Sequence, residues 1–225
     1  MKTLKQYIGN YIENHINESL FDDENTFLDP ERDEMAVLDW IKKHYKISNA
    51  YNIFYDHDRK IFTIDAGRVQ VKDLNITSLT NDLFEWGEVN HFYCSNCKNL
   101  KSLEGGPKEV KFVFCCSLCD SLTDLKGAPG VIPAGHFYCD NCKNLRSLKG
   151  APEKVMGNFY CYNCEELRTL EGSPKFVHGS FNCSHCKKLK NLKGIPKRVD
   201  LFVQCMECPN LVITREEYEK YDITL

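Results

Sequence analysis

Between His91 and Asn210 one pattern of residues is written six times. It reads Phe-x-Cys-x-x-Cys-x-x-Leu-x-x-Leu, followed in the complete copies by x-Gly-x-Pro-x-x-Val. The first cysteines of the copies are Cys94, Cys116, Cys139, Cys161, Cys183 and Cys205, at intervals of 22, 23, 22, 22 and 22 residues. A unit of this length cannot close a core of its own. It buries its apolar positions only by stacking on a neighbour, so a fixed period of this size means a solenoid. Every repeat position then becomes a column. Phe92, Phe114, Phe137, Phe159 and Phe181 form one, ended by Val203. Leu100, Leu122, Leu145, Leu167, Leu189 and Leu211 form another. Burying one such side chain contributes roughly 1.5–3 kcal/mol, which accounts for the periodicity without a ligand.

The flanks read as caps. Leu4, Tyr7, Ile8, Tyr11, Ile12, Ile16 and Leu20 recur at helical steps. Residues 1–29 are thus an amphipathic helix and an acidic linker. Residues 30–68 start with an N-cap signal, Asp29-Pro30, and a helix burying Val37, Leu38, Trp40, Ile41 and Tyr45. A hairpin follows, with strands Tyr51–Tyr55 and Lys60–Ile64 around Asp56-His57-Asp58-Arg59, and Ala66-Gly67 turns the chain. The array covers 69–211. Val69, Val71 and Leu74 stand in the Phe and two Cys places of a cysteine-free first copy, and Ile76 and Leu79 in the two Leu places. Residues 212–225 are a C-terminal cap. Thr214-Arg215-Glu216-Glu217 is a capping-box pattern opening a short helix, and Asp222–Leu225 is a tail.

Twelve of the 13 cysteines form the six Cys-x-x-Cys pairs: Cys94/Cys97, Cys116/Cys119, Cys139/Cys142, Cys161/Cys164, Cys183/Cys186 and Cys205/Cys208. Consecutive pairs are eighteen or nineteen residues apart, a spacing used by zinc sites. The rival reading is that they are small buried hydrophobes. Apolar Val71 and Leu74 in the same places, and Phe and Leu at the same period, favour core cysteine. No cofactor is expected, with zinc as the alternative. The opening residues carry no apolar secretory segment, which points to a reducing cytoplasm. No run is long and apolar enough to suggest a membrane span.

Phe-x-Cys-x-x-Cys-x-x-Leu-x-x-Leu resembles the leucine-rich-repeat core Leu-x-Leu-x-x-Cys-x-x-Leu. The resemblance implies an α+β leucine-rich-repeat solenoid with a parallel sheet on a concave face and short non-helical return arms through Gly-x-Pro. Strands would centre on Phe92–Ser95, Phe114–Ser117, Phe137–Asp140, Phe159–Tyr162, Phe181–Ser184 and Val203–Met206. Side chains alternate along a strand, so the neighbours of the buried Phe and Cys would line the concave face. Candidate partner-binding residues are His91, Tyr93, Ser95, His136, Tyr138, Asp140, Asn158, Tyr160, Tyr162 and Asn182. Tyr is a favoured anchor in protein contacts. The expectation is a non-enzymatic module binding a protein partner.

Charge is divided unevenly. Residues 1–89 carry ten Lys/Arg against seventeen Asp/Glu, and residues 90–211 carry seventeen against eleven. The array is mildly basic, but its lysines fall on the turns and arms, so neither nucleic acid nor a membrane surface is the expected partner. No nucleophile elbow, phosphate loop or His-Glu-x-x-His motif is present, and no enzyme is expected. The layout is also similar to repeat proteins of large tailed phages and gut bacteria, through Met1–Lys5, Ile16–Glu24 and the Leu-x-Gly-x-Pro arms. That resemblance implies virion assembly partners and a targeting helix cut after Ile/Leu-x-Glu. Ile16-Asn17-Glu18 fits, with Glu18 as the processing residue.

Overall fold

The computed structural model describes residues 41, 44–56, 58–59, 61–71, 74–81 and 84–225. The predicted helix over 2–20, the acidic linker, Glu18 and most of the second helix lie outside these residues. The described chain is a parallel β-solenoid of stacked coils. Its two sheets follow from the two extended stretches in each repeat, one at Phe-x-Cys and one at the arm valine.

The first sheet takes the strand that opens each coil. In chain order its members are β1 (Tyr45–Asp56), β2 (Ile61–Val71), β3 (Phe84–Tyr93), β4 (Val110–Cys115), β6 (His136–Tyr138), β8 (Phe159–Tyr160), β10 (Phe181–Asn182), β12 (Phe202–Gln204) and β13 (Asp222–Thr224). All neighbours are parallel except β1 and β2, which form an antiparallel hairpin. The second sheet is built from the arms: β5 (Val131–Ile132), β7 (Lys154–Val155), β9 (Phe176–Val177) and β11 (Arg198–Val199). The arms are extended, as proline requires, and they also pair with one another.

The phenylalanine column is in register from strand to strand: Phe92 against Phe114, then Phe137, Phe159, Phe181 and Val203. Ring centroids are 5.6, 5.3, 5.2 and 5.4 Å apart along it, and planes differ by no more than 16°. These side chains are fully buried, as are the leucines from Leu100 to Leu189 and a second leucine column from Leu103 to Leu170. Leu211 at the last coil is only partly buried against the core. Two backbone devices repeat with each coil. The residue before the second cysteine takes positive φ at Asn96, Leu118, Asn141, Asn163, His185 and Glu207. The turn after the second leucine needs glycine. At Gly150 φ is 89°, and a Cβ there would lie 2.6 Å from the Leu125 carbonyl carbon of the coil below.

The ends are sealed differently from each other. At the first, Tyr45, Phe84 and Trp86 pack edge to face, and Trp86 meets Phe92, closing the phenylalanine column. At the last, α1 (Arg215–Lys220) starts at Thr214 with both bonds of the capping box formed, and the buried Tyr221 hydroxyl donates to Pro196 O at 2.8 Å.

Four local expectations are corrected. Tyr45 opens β1 and does not belong to the preceding helix. Ala66-Gly67 is no turn: β2 runs through it, with a register irregularity against β3 between Ile64 and Ala66. The tail is a strand, because Asp222–Thr224 finds the open edge of β12. In the cysteine-free coil Val69, Val71, Ile76 and Leu79 are buried, but Leu74 is 44% exposed. That coil reaches its leucine places one residue early, and Leu74 is left at the surface instead of in the column of second cysteines.

Candidate interaction face

The outward side of the first sheet carries three columns. The central one runs Tyr93, Cys115, Tyr138, Tyr160, Asn182 and Gln204, in register strand by strand. All six are half-buried. Tyr138 and Tyr160 stack at 4.9 Å with planes 10° apart. The Arg68 guanidinium lies over the Tyr93 ring at 4.4 Å. Asn182 Nδ2 donates to Gln204 Oε1 at 2.8 Å.

One step towards the arms lie His91, Val113, His136, Asn158 and Ser180. His136 Nδ1 accepts from Asn158 N at 2.9 Å, and Asn158 Nδ2 donates to the Tyr160 hydroxyl at 2.7 Å. Asn158 Oδ1 accepts from Ser180 N at 2.8 Å. These bonds hold Tyr160 and its stacked neighbour in one orientation. His91 stacks on Phe112 at 5.3 Å, and its Nδ1 is buried with no hydrogen-bond partner among the described residues. Burial, with Arg68 second, therefore depresses its pKa.

On the turn side lie Ser95, Ser117, Asp140, Tyr162 and Ser184. Here the structure departs from an exposed face: Ser117, Asp140 and Ser184 are buried. Asp140 accepts from Ser117 Oγ and from Asn141 Nδ2, both at 2.7 Å, and Asn163 Nδ2 donates on to Asn141 Oδ1. A thiol–hydroxyl chain from Ser95 through Cys115 to Ser117 completes this polar seam. Burial raises the Tyr138 phenol pKa, helped by Tyr160; burial and Asp140 raise that of Tyr162. Both rings are therefore neutral contact surfaces at ordinary pH.

The cysteine pairs lie in the core. Eleven of the thirteen thiols are buried, with Cys115 and Cys208 partly exposed. The first pair, Cys94 and Cys97, is fully buried among the apolar columns. Cys97, a candidate ligand under the zinc alternative, lies in the core cluster. Its thiol turns back on its own turn and donates to Ser95 O at 3.9 Å, while Cys94 donates to Cys115 O at 3.6 Å. Each second cysteine from Cys119 onward donates to the carbonyl of the preceding coil's first cysteine, as Cys142 does to Cys116 O at 3.2 Å and Cys164 to Cys139 O at 3.3 Å. Cys116, Cys139 and Cys161 donate to the next coil's backbone, and Cys205 to Thr224 O of the C-terminal strand. Among the described residues no group of three or more His, Cys, Asp or Glu side chains is placed to hold a metal ion. Burial pushes the Cys186 thiol up to about 12 and Cys139, Cys161 and Cys183 well above the usual range. A thiol that keeps its proton is a poor metal ligand and a poor nucleophile.

No family model, curated protein or solved structure gives a significant match. The chain has to be read from its own geometry. Among the described residues no helix is long and apolar enough to cross a membrane.

Several lysines of the turns and arms are paired between coils. Lys98 pairs with Asp120, Lys126 with Glu104, Lys175 with Glu153, Lys188 with Glu166 and Lys193 with Glu171. Three participants are not among the candidates read from the sequence. Arg68 joins the face because β2 lies beside β3, as the cysteine-free copy implies, and its side chain reaches past its register partner His91 to Tyr93. Asn141 and Asn163 did leave a signal, asparagine recurring before the second cysteine, where its tolerance of positive φ suits the turn.

Proposed function

We propose that this protein is a non-enzymatic binding module that engages a protein partner through the Tyr/His face of its first sheet. The observation that carries the reading is the stacked Tyr138–Tyr160 pair, held by the His136–Asn158–Tyr160 hydrogen bonds. A half-buried aromatic platform already fixed in one rotamer loses little entropy on binding. Tyr is, with Trp and Arg, among the residue types enriched at the centre of protein interfaces. His91, Tyr93, Ser95 and Asn182 extend the platform; Tyr162 and the buried Asp140 border it. Kinship with leucine-rich repeats is part of this proposal and is supported by the spacing of Phe, Cys and Leu. The test is affinity capture from the native organism with wild-type protein and a Tyr138→Ala/Tyr160→Ala double variant. The variant should lose the captured partner while keeping its far-UV spectrum and melting temperature to within a few degrees. Equal capture by both proteins rejects the reading.

A second reading is a phage virion protein whose repeats serve assembly. It rests on Ile16-Asn17-Glu18, which fits a processing site after Glu18. Protein from purified particles would begin at Ser19 under this reading, and an intact Met1 there defeats it.

A further inference from the structure

The central column of the face has one interruption. Tyr93 and Tyr138 stand on β3 and β6, and the strand between them carries Cys115 at the same register. Neighbouring strands are about 4.8 Å apart, so the two tyrosines originate about 9.6 Å apart on either side of a small side chain. Cys115 is kept low by contacts to Ser95 Oγ at 3.0 Å and Ser117 Oγ at 3.4 Å. The same column shows what such spacing accommodates. Tyr160 sits on Tyr138 at 4.9 Å, and the Arg68 guanidinium sits on Tyr93 at 4.4 Å. One planar group placed over Cys115 would lie at that distance from both rings and would make the stack continuous from Arg68 to Tyr160.

Charge selects among planar groups. Across the three outward columns from His91 to Met206, Asp140 is the one acidic side chain and no lysine or arginine is present; the one cation beside them is Arg68, already stacked on Tyr93. Asp140 is 6% exposed, and its hydrogen bonds come from the neutral Ser117 and Asn141 side chains. Tyrosine faces are themselves the negative side of the ring quadrupole. The arrangement complements a cation, and arginine is the always-charged side chain that lays a plane against an aromatic face, whereas lysine offers only a point charge. We infer that the slot over Cys115 between Tyr93 and Tyr138 receives an arginine side chain of the protein partner. This inference rests on the binding reading above and names the chemistry of its contact.

The probe is the capped tripeptide acetyl-Gly-Arg-Gly-amide, compared with its citrulline, lysine and phenylalanine counterparts. Aromatic ¹H–¹³C NMR of the full chain reads the Tyr93 and Tyr138 ring signals during titration. The arginine peptide should move both, and citrulline, planar but neutral, should bind about tenfold more weakly. Cys115→Tyr, which fills the slot with the column's own residue, should abolish the shifts while Cys115→Ser retains them. Asp140→Asn should narrow the gap between arginine and citrulline without removing binding, which keeps the inference testable should Cys115→Tyr fail to fold. Three results would overturn it: no shift at Tyr93 and Tyr138 in wild type, unchanged binding by folded Cys115→Tyr, or phenylalanine binding as well as arginine. Loss of the native partner in the Tyr138/Tyr160 double variant, with capture retained by Cys115→Tyr, would sink the slot and leave the face standing.

Discussion

Replacing Phe137 with alanine removes the middle ring of the core column. Phe137 is fully buried and stacked on both sides, against Phe114 at 5.3 Å and Phe159 at 5.2 Å. A buried Phe→Ala change costs about 3–5 kcal/mol through lost transfer energy and the cavity left behind. Two ring contacts go with it, each worth about 0.5–1.5 kcal/mol beyond area, so the upper half of that range is expected. The backbone ladder on both sides resists collapse of the hole. For a chain of this length, about 4–5 kcal/mol corresponds to a melting point lower by roughly 8–20 °C. Urea unfolding followed by circular dichroism measures the loss directly. The control is Phe176→Ala on the second sheet, where the ring is 39% exposed and a loss within about 1 kcal/mol is expected. A solenoid is held together coil by coil, so a hole at the centre should also loosen the coupling between the two halves and lower the denaturant slope. A loss below about 2 kcal/mol for Phe137→Ala, or an equal loss for Phe176→Ala, would refute the view that the phenylalanine column carries the stability of the array.

Two further outcomes follow from the same burial. Thiol titration of the native protein should find two accessible groups, Cys115 and Cys208, and all thirteen once denatured; a zinc chelator should change neither this count nor the melting point, and a chelator-dependent rise in either accessible thiols or unfolding would restore the metal reading. The folded-state pKa of His91 lies below that of the unfolded chain, about 6.5, so its contribution to stability is full above that pH and lost as pH falls through the folded value; the melting-point difference between wild type and His91→Gln should shrink below pH 6.5, and a difference that stays constant from pH 8 to pH 5 rules this out.

The period of the repeat determined the columns, and with them the buried set. Phe, Cys and Leu at a constant interval leave one register in which every apolar position meets its copy in the next coil, so the solenoid, its core and its outward Tyr/His face were legible without coordinates. Thr214–Glu217 announced its helix because a capping box is local chemistry. What the sequence could not show lies where a residue's neighbour is not its own repeat. Leu74 fills a cysteine place in the pattern yet reaches solvent, in a coil one residue out of step. Asp222–Thr224 becomes a strand only because β12 offers an unpaired edge. Asp140 is buried because Ser117 of the preceding coil and its own neighbour Asn141 both donate to its carboxylate. Arg68 reaches Tyr93, two positions beyond its register partner His91, in a contact between unlike positions. Contacts between equivalent positions are copied with the repeat and can be read from any one unit, whereas contacts between unlike positions exist once and depend on the packed coils.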